Sequence, residues 1–104
     1  MGKVLRRPQA VHDLYEIWTY IARDNPATAD RLLLSFDEKL QFLSDAPAMG
    51  RGRDDLSPGL RSFVLGEYVL FYRAIEGGLA LVAALHGRRN IDLLAELGLF
   101  NEPD

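Results

Sequence analysis

Residues 60–86, LRSFVLGEYVLFYRAIEGGLALVAALH, are the stretch that decides the fold of this chain. Three largely apolar runs within it predict short strands: LRSFVL, YVLFYRAI and LALVAALH. Gly66-Glu67 separates the first two runs, and glycine in the first position of a two-residue connection favours a type II′ hairpin turn. Glu76-Gly77-Gly78 separates the last two runs. The stretch therefore predicts an antiparallel three-stranded meander.

The turn at 66–67 also predicts which side chains share a face of the meander, because side chains alternate along a strand. One predicted face holds Arg61, Phe63, Leu65, Tyr68, Leu70, Tyr72, Leu79, Leu81, Ala83 and Leu85. The other predicted face holds Ser62, Val64, Val69, Phe71, Arg73, Ile75, Ala80, Val82, Ala84 and His86. Both faces are largely apolar, whereas an antiparallel sheet usually leaves its second face polar and wet.

Two helices precede the meander and can cover only one of its faces. The first, over about residues 9–24, has an apolar stripe at helical spacing, and the stripe places Trp18 in the core. The stripe consists of Val11, Leu14, Ile17, Trp18 and Ile21, with His12, Asp13, Glu16 and Arg23 on the other side. Asn25 and Pro26 predict the start of a second helix, which Asp45-Ala46-Pro47 ends. The short link predicts a helical hairpin.

The flanking segments complete an α+β fold with the order β-α-α-β-β-β. Residues 3–7 predict a short edge strand, and residues 46–59 predict a long loop rich in Gly, Pro and Arg, of a kind that is often functional. Asn90 can cap a short C-terminal helix that Gly98 ends. We expect that helix to cover part of the second apolar face and a partner chain to cover the rest, because exposed apolar patches mark interaction sites. The alternative is that the tail alone covers this face. His86 is expected on this second face.

Composition limits the classes of function. A chain of 104 residues predicts one domain, 1–104, and the absence of cysteine excludes disulfides and thiolate metal sites. The start MGKVLRRP is too short and polar for a signal peptide, and no apolar run reaches membrane-spanning length, so we expect a cytoplasmic protein. The net charge of −3 argues against direct binding of nucleic acid. Two isolated histidines, His12 and His86, do not predict a metal site.

Three strings, taken in order, carry a resemblance to a known family: DLYEIWTYIARDNPATADRLL, PAMGRGRDDLSPGLRSFVLGEYVLFYR and LHGRRNID. The resemblance extends from Val11 to Asp92. On these strings the chain resembles the ParE toxins of the RelE/ParE superfamily, which are the toxin halves of type II toxin–antitoxin modules in bacteria. The resemblance implies a RelE/ParE-like fold, in which an antiparallel sheet packs on the helical hairpin.

The resemblance also implies a function that the residues alone do not reach. ParE toxins inhibit DNA gyrase and so block replication, and a ParD-like antitoxin neutralises each toxin. This antitoxin has a ribbon-helix-helix DNA-binding end and a C-terminal tail that wraps the toxin. The toxin therefore meets DNA only through the antitoxin, and no cofactor and no membrane partner are implied. A non-toxic co-repressor that acts with its antitoxin is an alternative.

A second alternative is a ribosome-dependent mRNA endonuclease of the RelE type, on the same fold. RNA cleavage needs a base, an acid and cations that stabilise the phosphorane. His86 is a candidate acid or base, but no tyrosine follows Tyr72 and no lysine follows Lys39. Phe100 in the tail cannot transfer a proton, and the acidic pI disfavours ribosomal RNA. The sequence therefore favours binding over catalysis, and it predicts no catalytic residue.

The candidates for target or antitoxin binding are Arg51, Arg53, Arg61, Arg73, His86, Arg88 and Arg89. We expect Arg51 and Arg53 to join the surface of Arg88 and Arg89 if their loop folds beside the sheet. Structural roles remain open as well, because His86 can be a satisfied residue at a strand end. Arg88 and Arg89 can pair with tail carboxylates such as Asp92. One of Arg61 and Arg73 is expected to support the fold while the other meets a ligand.

Overall fold

The computed structural model describes residues 2–101, which form an α+β architecture of three helices and one mixed sheet. In chain order the elements are β1 (Lys3–Arg6), α1 (Pro8–Ala22), α2 (Pro26–Asp45), a 3₁₀ turn (Pro47–Met49), β2 (Arg51–Gly52), β3 (Leu60–Leu65), β4 (Tyr68–Ile75), β5 (Gly78–His86) and α3 (Ile91–Glu96). The strand order in the sheet is β1-β5-β4-β3-β2. This architecture confirms the predicted fold class. Within residues 2–101, no helix has both the length and the apolar character needed to cross a membrane.

The predicted meander is present as β3, β4 and β5, each antiparallel to the next. Leu65 lies opposite Tyr68 across the first turn, and Gly66 adopts a φ of 62° there, which glycine adopts without strain. Gly77 has a φ of 81° in the second turn, where Ile75 pairs with Gly78. Local turn chemistry therefore sets the order and direction of the central strands.

The two edges of the sheet differ in how well the sequence predicts them. β1 lies at one edge, as predicted, and runs parallel to β5. The other edge is β2, a two-residue strand inside the segment predicted to be a loop. Arg51 and Gly52 of β2 pair with Ser62 and Arg61 of β3. Two paired residues produce no recognisable alternation, so the sequence pattern does not reveal this strand.

The helical hairpin forms as predicted, with a cap at its second helix. The amide of Thr28 donates to Asn25 Oδ1 at 3.1 Å. Trp18 Nε1 donates to Asp30 Oδ1 at 2.8 Å, and the indole is half-buried between the helices. The prediction that Trp18 lies in the core is therefore wrong. The buried positions of α1 are Ala10, Asp13 and Ile17, while Val11 is exposed. The core-facing side of α1 is therefore rotated relative to the predicted stripe, and Asp13 on that side accepts the amide of Ala84 in the sheet.

The main core lies between the hairpin and one face of the sheet. Its buried members are Ala10, Ile17, Phe36, Leu40, Leu43, Leu70, Tyr72, Leu79, Leu81 and Ala84. A second core lies on the opposite face, where the C-terminal segment, residues 91–100, covers the sheet. Its buried members are Leu60, Phe71, Val82, Ala83, Leu85 and Phe100, with Ile91, Leu94 and Leu99 packed against them. The chain's own C-terminal residues thus cover much of the second apolar face, one of the two explanations left open by the sequence.

The predicted division of side chains between the two faces is wrong at the end of β5. Phe71 lies opposite Ala83 but Tyr72 lies opposite Leu81, so β5 contains a bulge at Val82. The bulge reverses the alternation beyond it, and His86 and Ala84 lie on the α1 side, while Ala83 and Leu85 face the C-terminal segment. The run LALVAAL contains no polar residue that would mark the register, and the bulge therefore leaves no trace in the sequence pattern.

Tyr72 fixes the segment that leads into β2. Its buried hydroxyl donates to the carbonyl of Pro47 and accepts the amide of Gly50 at 2.9 Å. A Cβ at Gly50 would collide with this hydroxyl. One side chain thus bonds to both backbone groups that close the 3₁₀ turn, whose own bond, from the Gly50 amide to the Pro47 carbonyl, is long at 3.5 Å.

We predict that Tyr72→Phe lowers the free energy of unfolding by about 1–3 kcal/mol, because the Gly50 amide and the Pro47 carbonyl then keep only their own long bond of 3.5 Å while the ring remains. Urea unfolding monitored by circular dichroism measures the change. Tyr15→Phe, at a side chain that is 67% exposed, is the matched control and should change little. Equal stabilities of the two variants would contradict the prediction.

Candidate functional site

A groove of about 750 Å³ opens between α1 and the end of the sheet, where β5 runs beyond the last residue of β1. Arg6 is the last β1 residue paired with β5, opposite Leu81. The ionisable side chains that line the groove are His12, Asp13, Glu16, Tyr20, Glu67, Tyr68, His86, Arg88 and Arg89. The groove thus brings together three of the predicted binding residues, His86, Arg88 and Arg89.

His86 is half-buried at the end of β5 and has one nitrogen committed to the backbone. The amide of Arg88 donates to its Nδ1 at 3.0 Å, which requires Nδ1 to be unprotonated. In the neutral ring the proton is therefore on Nε2. The imidazole packs edge-on against Tyr68, with ring centroids 5.3 Å apart. His86 is consequently a fixed, oriented side chain on the α1 side of the sheet.

Tyr68 is a groove residue that the sequence analysis did not propose. It lies directly opposite His86 in the β4–β5 ladder, a pairing that exists only because of the bulge. Burial, followed by the charge of Glu67, raises the pKa of the Tyr68 phenol. Tyr68 therefore keeps its proton at neutral pH and can donate a hydrogen bond, but it is a poor base.

Asp13 is the second groove residue that the sequence analysis missed. Its Oδ2 accepts the amide of Ala84 at 3.0 Å, and its Oδ1 accepts from Gln9 Nε2 at 2.8 Å. Because β1 has ended before this point, a side chain from α1 supplies the acceptor for a backbone group of β5. Burial raises the pKa of Asp13, and the two hydrogen bonds and the charges of His12 and Arg89 only partly oppose it. Asp13 thus ties α1 to the end of the sheet.

Arg88 and Arg89 follow β5 in a tight turn and project into water. The amide of Gly87 donates to the carbonyl of Glu67 at 2.8 Å, and the amide of Arg89 donates to the carbonyl of His86 at 3.0 Å. Within residues 2–101 neither guanidinium forms an ion pair, so the proposed pairing with Asp92 is absent. A hydrogen-bonded turn thus presents two exposed cations that have no carboxylate partner in the described part of the chain.

The groove carries charges of both signs. Glu16 Oε1 lies 3.3 Å from His12 Nε2, and Asp13 and Glu67 add carboxylates to the same lining. Such a mixed lining suits a protein partner that offers both acidic and basic groups better than it suits a polyanion. In the described part of the chain, no three His, Asp or Glu side chains are grouped closely enough to hold a metal ion.

The remaining predicted residues lie elsewhere. Arg51 and Arg53 are in and beside β2, at the opposite edge of the sheet from the groove, so they do not join Arg88 and Arg89 as expected. Arg53 pairs with Asp55, with both hydrogen bonds at 3.2 Å. Arg51 is exposed.

Arg61 and Arg73 both bond to backbone carbonyls on their respective faces. Arg61 Nη1 donates to the carbonyl of Gly50 at 2.8 Å, and Arg73 Nη2 donates to the carbonyl of Phe100 at 2.8 Å and to Ser57 Oγ. Both arginines therefore support the fold, and contact of one of them with a ligand stays a prediction. A guanidinium satisfies several carbonyls at once, and both arginines use this property.

Comparisons with known proteins agree on one family. The family model described as "ParE toxin of type II toxin-antitoxin system, parDE" matches residues 4–91. Toxin ParE3 of Caulobacter vibrioides is 32% identical over 99 residues, which cover 94% of this chain and 97% of that protein. A solved chain of the "Chromosomal ParDE TA system from P. aeruginosa" superimposes with a TM-score of 0.67 at 20% identity, covering 83% of this chain and 96% of that chain. The last match supports the fold alone.

We predict that Asp13→Asn removes a pH dependence of stability. A raised pKa means that the folded state holds the Asp13 proton more tightly than the unfolded state does, so ionisation costs stability as pH rises above the ordinary value of 3.8. The wild type should therefore lose stability relative to Asp13→Asn as pH increases from about 3.5 to 7. An asparagine oxygen can still accept the amide of Ala84.

Urea unfolding of both proteins at several pH values measures this difference. Asp24→Asn, at an exposed position after α1, controls for the loss of one negative charge. Parallel curves for wild type and Asp13→Asn, or a difference of the opposite sign, would rule out the assigned role of burial.

Proposed function

Because the chain belongs to the family of ParE toxins of type II toxin–antitoxin systems, we propose that it inhibits DNA gyrase by binding and thereby blocks replication. The observation that carries the proposal of a binding mechanism is the pair Arg88 and Arg89. Both side chains extend into water from a hydrogen-bonded turn, and within residues 2–101 neither has an ion-pair partner. Planar, permanently charged guanidinium groups are suited to carboxylates on a protein surface.

The chemistry of the groove supports binding over catalysis. General acid–base catalysis is most efficient when the pKa of the catalytic group lies near the working pH, and the raised pKa of Tyr68 moves its phenol away from neutral pH. His86 has its Nδ1 engaged by the amide of Arg88, which leaves one nitrogen for a substrate. Lys39, the last lysine of the chain, lies over the rings of Phe42 and Phe63, and it does not line the groove. The proposal therefore includes no enzymatic step and no cofactor.

The proposal includes a ParD-like antitoxin as the neutralising partner. The family is defined by toxin–antitoxin modules, so a partner chain is part of the system. In the proposed arrangement the antitoxin carries the DNA-binding end and a tail that wraps the toxin, and both proteins act in the cytoplasm. The toxin itself has a net charge of −3, which agrees with contact to DNA through the antitoxin.

We predict that the purified protein blocks supercoiling, or traps cleaved DNA, when it is mixed with gyrase, ATP and relaxed plasmid. Arg88→Ala combined with Arg89→Ala should weaken this inhibition by about tenfold or more, because two charges are lost from the contact. The melting temperature should change little, since both side chains are exposed.

The matched control is Arg23→Ala combined with Arg31→Ala, which removes the same charge from the helical hairpin. Gyrase that remains fully active at saturating protein would refute the proposal. A large loss of melting temperature in the Arg88 and Arg89 variant would assign that pair to folding.

A second candidate function, a ribosome-dependent mRNA endonuclease, is favoured by one observation. His86 Nε2 lies in a groove that also holds Tyr68, Arg88 and Arg89. Incubation of the protein in a translating extract tests this candidate, with message integrity as the readout. Cleavage that His86→Ala abolishes would establish the endonuclease in place of the gyrase inhibitor.

A further inference from the structure

The turn that follows β5 presents Arg88 and Arg89 with the amides of residues 87–89 all bonded. Gly87 donates its amide to the carbonyl of Glu67 at 2.8 Å. Arg89 donates its amide to the carbonyl of His86 at 3.0 Å. The amide between them, that of Arg88, donates to a side chain atom, His86 Nδ1, at 3.0 Å. His86 therefore closes the turn with its imidazole as well as with its carbonyl.

The bond from the Arg88 amide to His86 Nδ1 has the connectivity of an Asx turn, in which an Asn or Asp side chain accepts the amide two residues later. Nδ1 of histidine and Oδ1 of asparagine are both bonded to Cγ, so either atom closes the turn with the same number of bonds. The imidazole thus takes the place of a carboxamide in a common turn.

Aromatic packing connects this imidazole to the main core. The ring of His86 lies edge-on to Tyr68, with centroids 5.3 Å apart. Tyr68 in turn lies edge-on to the fully buried Phe36, with centroids 5.8 Å apart. The packing orients the imidazole so that Nδ1 meets the Arg88 amide, and the conformation of the turn is therefore linked to the core.

Protonation of His86 would break the bond to Arg88. A protonated imidazole carries a hydrogen on both nitrogens, so Nδ1 becomes a donor that faces another donor. Histidine is the side chain whose charge normally changes between about pH 5 and 8. The amide of Arg88 would be released as the proton binds, and the turn would keep only the bonds of Gly87 and Arg89.

Several titratable groups face the imidazole across the groove. α1 contributes His12, Asp13, Glu16 and Tyr20, and the β3–β4 turn and β4 contribute Glu67 and Tyr68. Arg88 and Arg89 complete the set on the turn itself. These groups influence the pH at which the proton binds but not where it binds. Nε2 already carries a proton in the neutral ring, so the second proton goes to Nδ1.

We propose that His86 is the positioning residue for the contact made by Arg88 and Arg89, and that its neutral imidazole holds the turn in the conformation that binds gyrase. The inference rests on the proposed function for the identity of the target. It assigns His86 neither a proton transfer nor a direct contact with the target. Inhibition therefore weakens when His86 gains a proton, although the protein then carries one more positive charge.

Two variants separate the acceptor of His86 from its ring. His86→Asn keeps an acceptor bonded to Cγ and loses the ring, so it should retain protection of the Arg88 amide and inhibition of gyrase. His86→Phe keeps a ring against Tyr68 and loses the acceptor. It should expose the Arg88 amide to exchange with water and weaken binding to gyrase by about threefold to tenfold, the effect of one hydrogen bond. NMR of the free chain measures the exchange, and supercoiling titrations measure the inhibition.

The pH profile is a second readout, which a purely structural role of His86 would not change. From about pH 8 to pH 6 the affinity of the wild type for immobilised gyrase should fall relative to that of His86→Asn, which has no titratable group at this position. The ratio of the two affinities at each pH removes the pH dependence of gyrase itself. His12→Gln, at the other histidine of the chain, is the control and should keep the pH dependence of the wild type.

The outcomes separate this inference from the proposed function. A His86→Phe variant that protects the Arg88 amide and binds gyrase like the wild type would overturn the inference, and the proposed function would stand. A wild-type affinity that rises relative to His86→Asn as the pH falls would also overturn it. A wild type that leaves gyrase fully active would refute the proposed function together with the inferred target, while exchange of the Arg88 amide in the two variants still decides whether His86 sets the turn.

Discussion

The extra residue in β5 is the constraint on which the groove depends. Val82 has no partner in β4, and this single insertion turns the end of the strand so that His86 and Ala84 face α1. His86 then meets Tyr68, and the amide of Ala84 meets the carboxylate of Asp13. With regular alternation the side chains of Tyr68 and His86 would lie on opposite faces of the sheet.

Sequence patterns predicted the features of the fold that local chemistry determines. The hairpin turns, the start of α2 and the order of elements could be predicted because their signals act over a few residues. These signals are the glycine Gly66, the acceptor side chain of Asn25 and the proline Pro26. The bulge at Val82 and the two residues of β2 depend on contacts between distant segments. Neither changes the hydrophobic pattern, which is why sequence analysis assigned His86 to the wrong face and β2 to a loop.

The sequence predicts which residue types form the candidate site better than it predicts how those residues are arranged. Arginine is equally suited to a backbone anchor and to a partner surface, because its five donors satisfy carbonyls or carboxylates. Arg61 and Arg73 serve as anchors, whereas Arg88 and Arg89 remain exposed, and the sequence around them does not distinguish the two uses. Asp13 falls on the outer side of the predicted stripe because the spacing of apolar residues alone sets that stripe, whereas its bond to Ala84 joins distant segments.

The C-terminal segment that covers the second face makes Phe100 part of the interior. α3 has only six residues, too few to remain helical alone in water, so its helical form depends on docking through residues such as Leu94 and Phe100. A protease that cuts between β5 and α3 would release this cover and expose Phe71 and Leu85. A toxin cleaved there would expose an apolar sheet surface that is prone to aggregation. Quality-control proteases would degrade it faster than the intact chain.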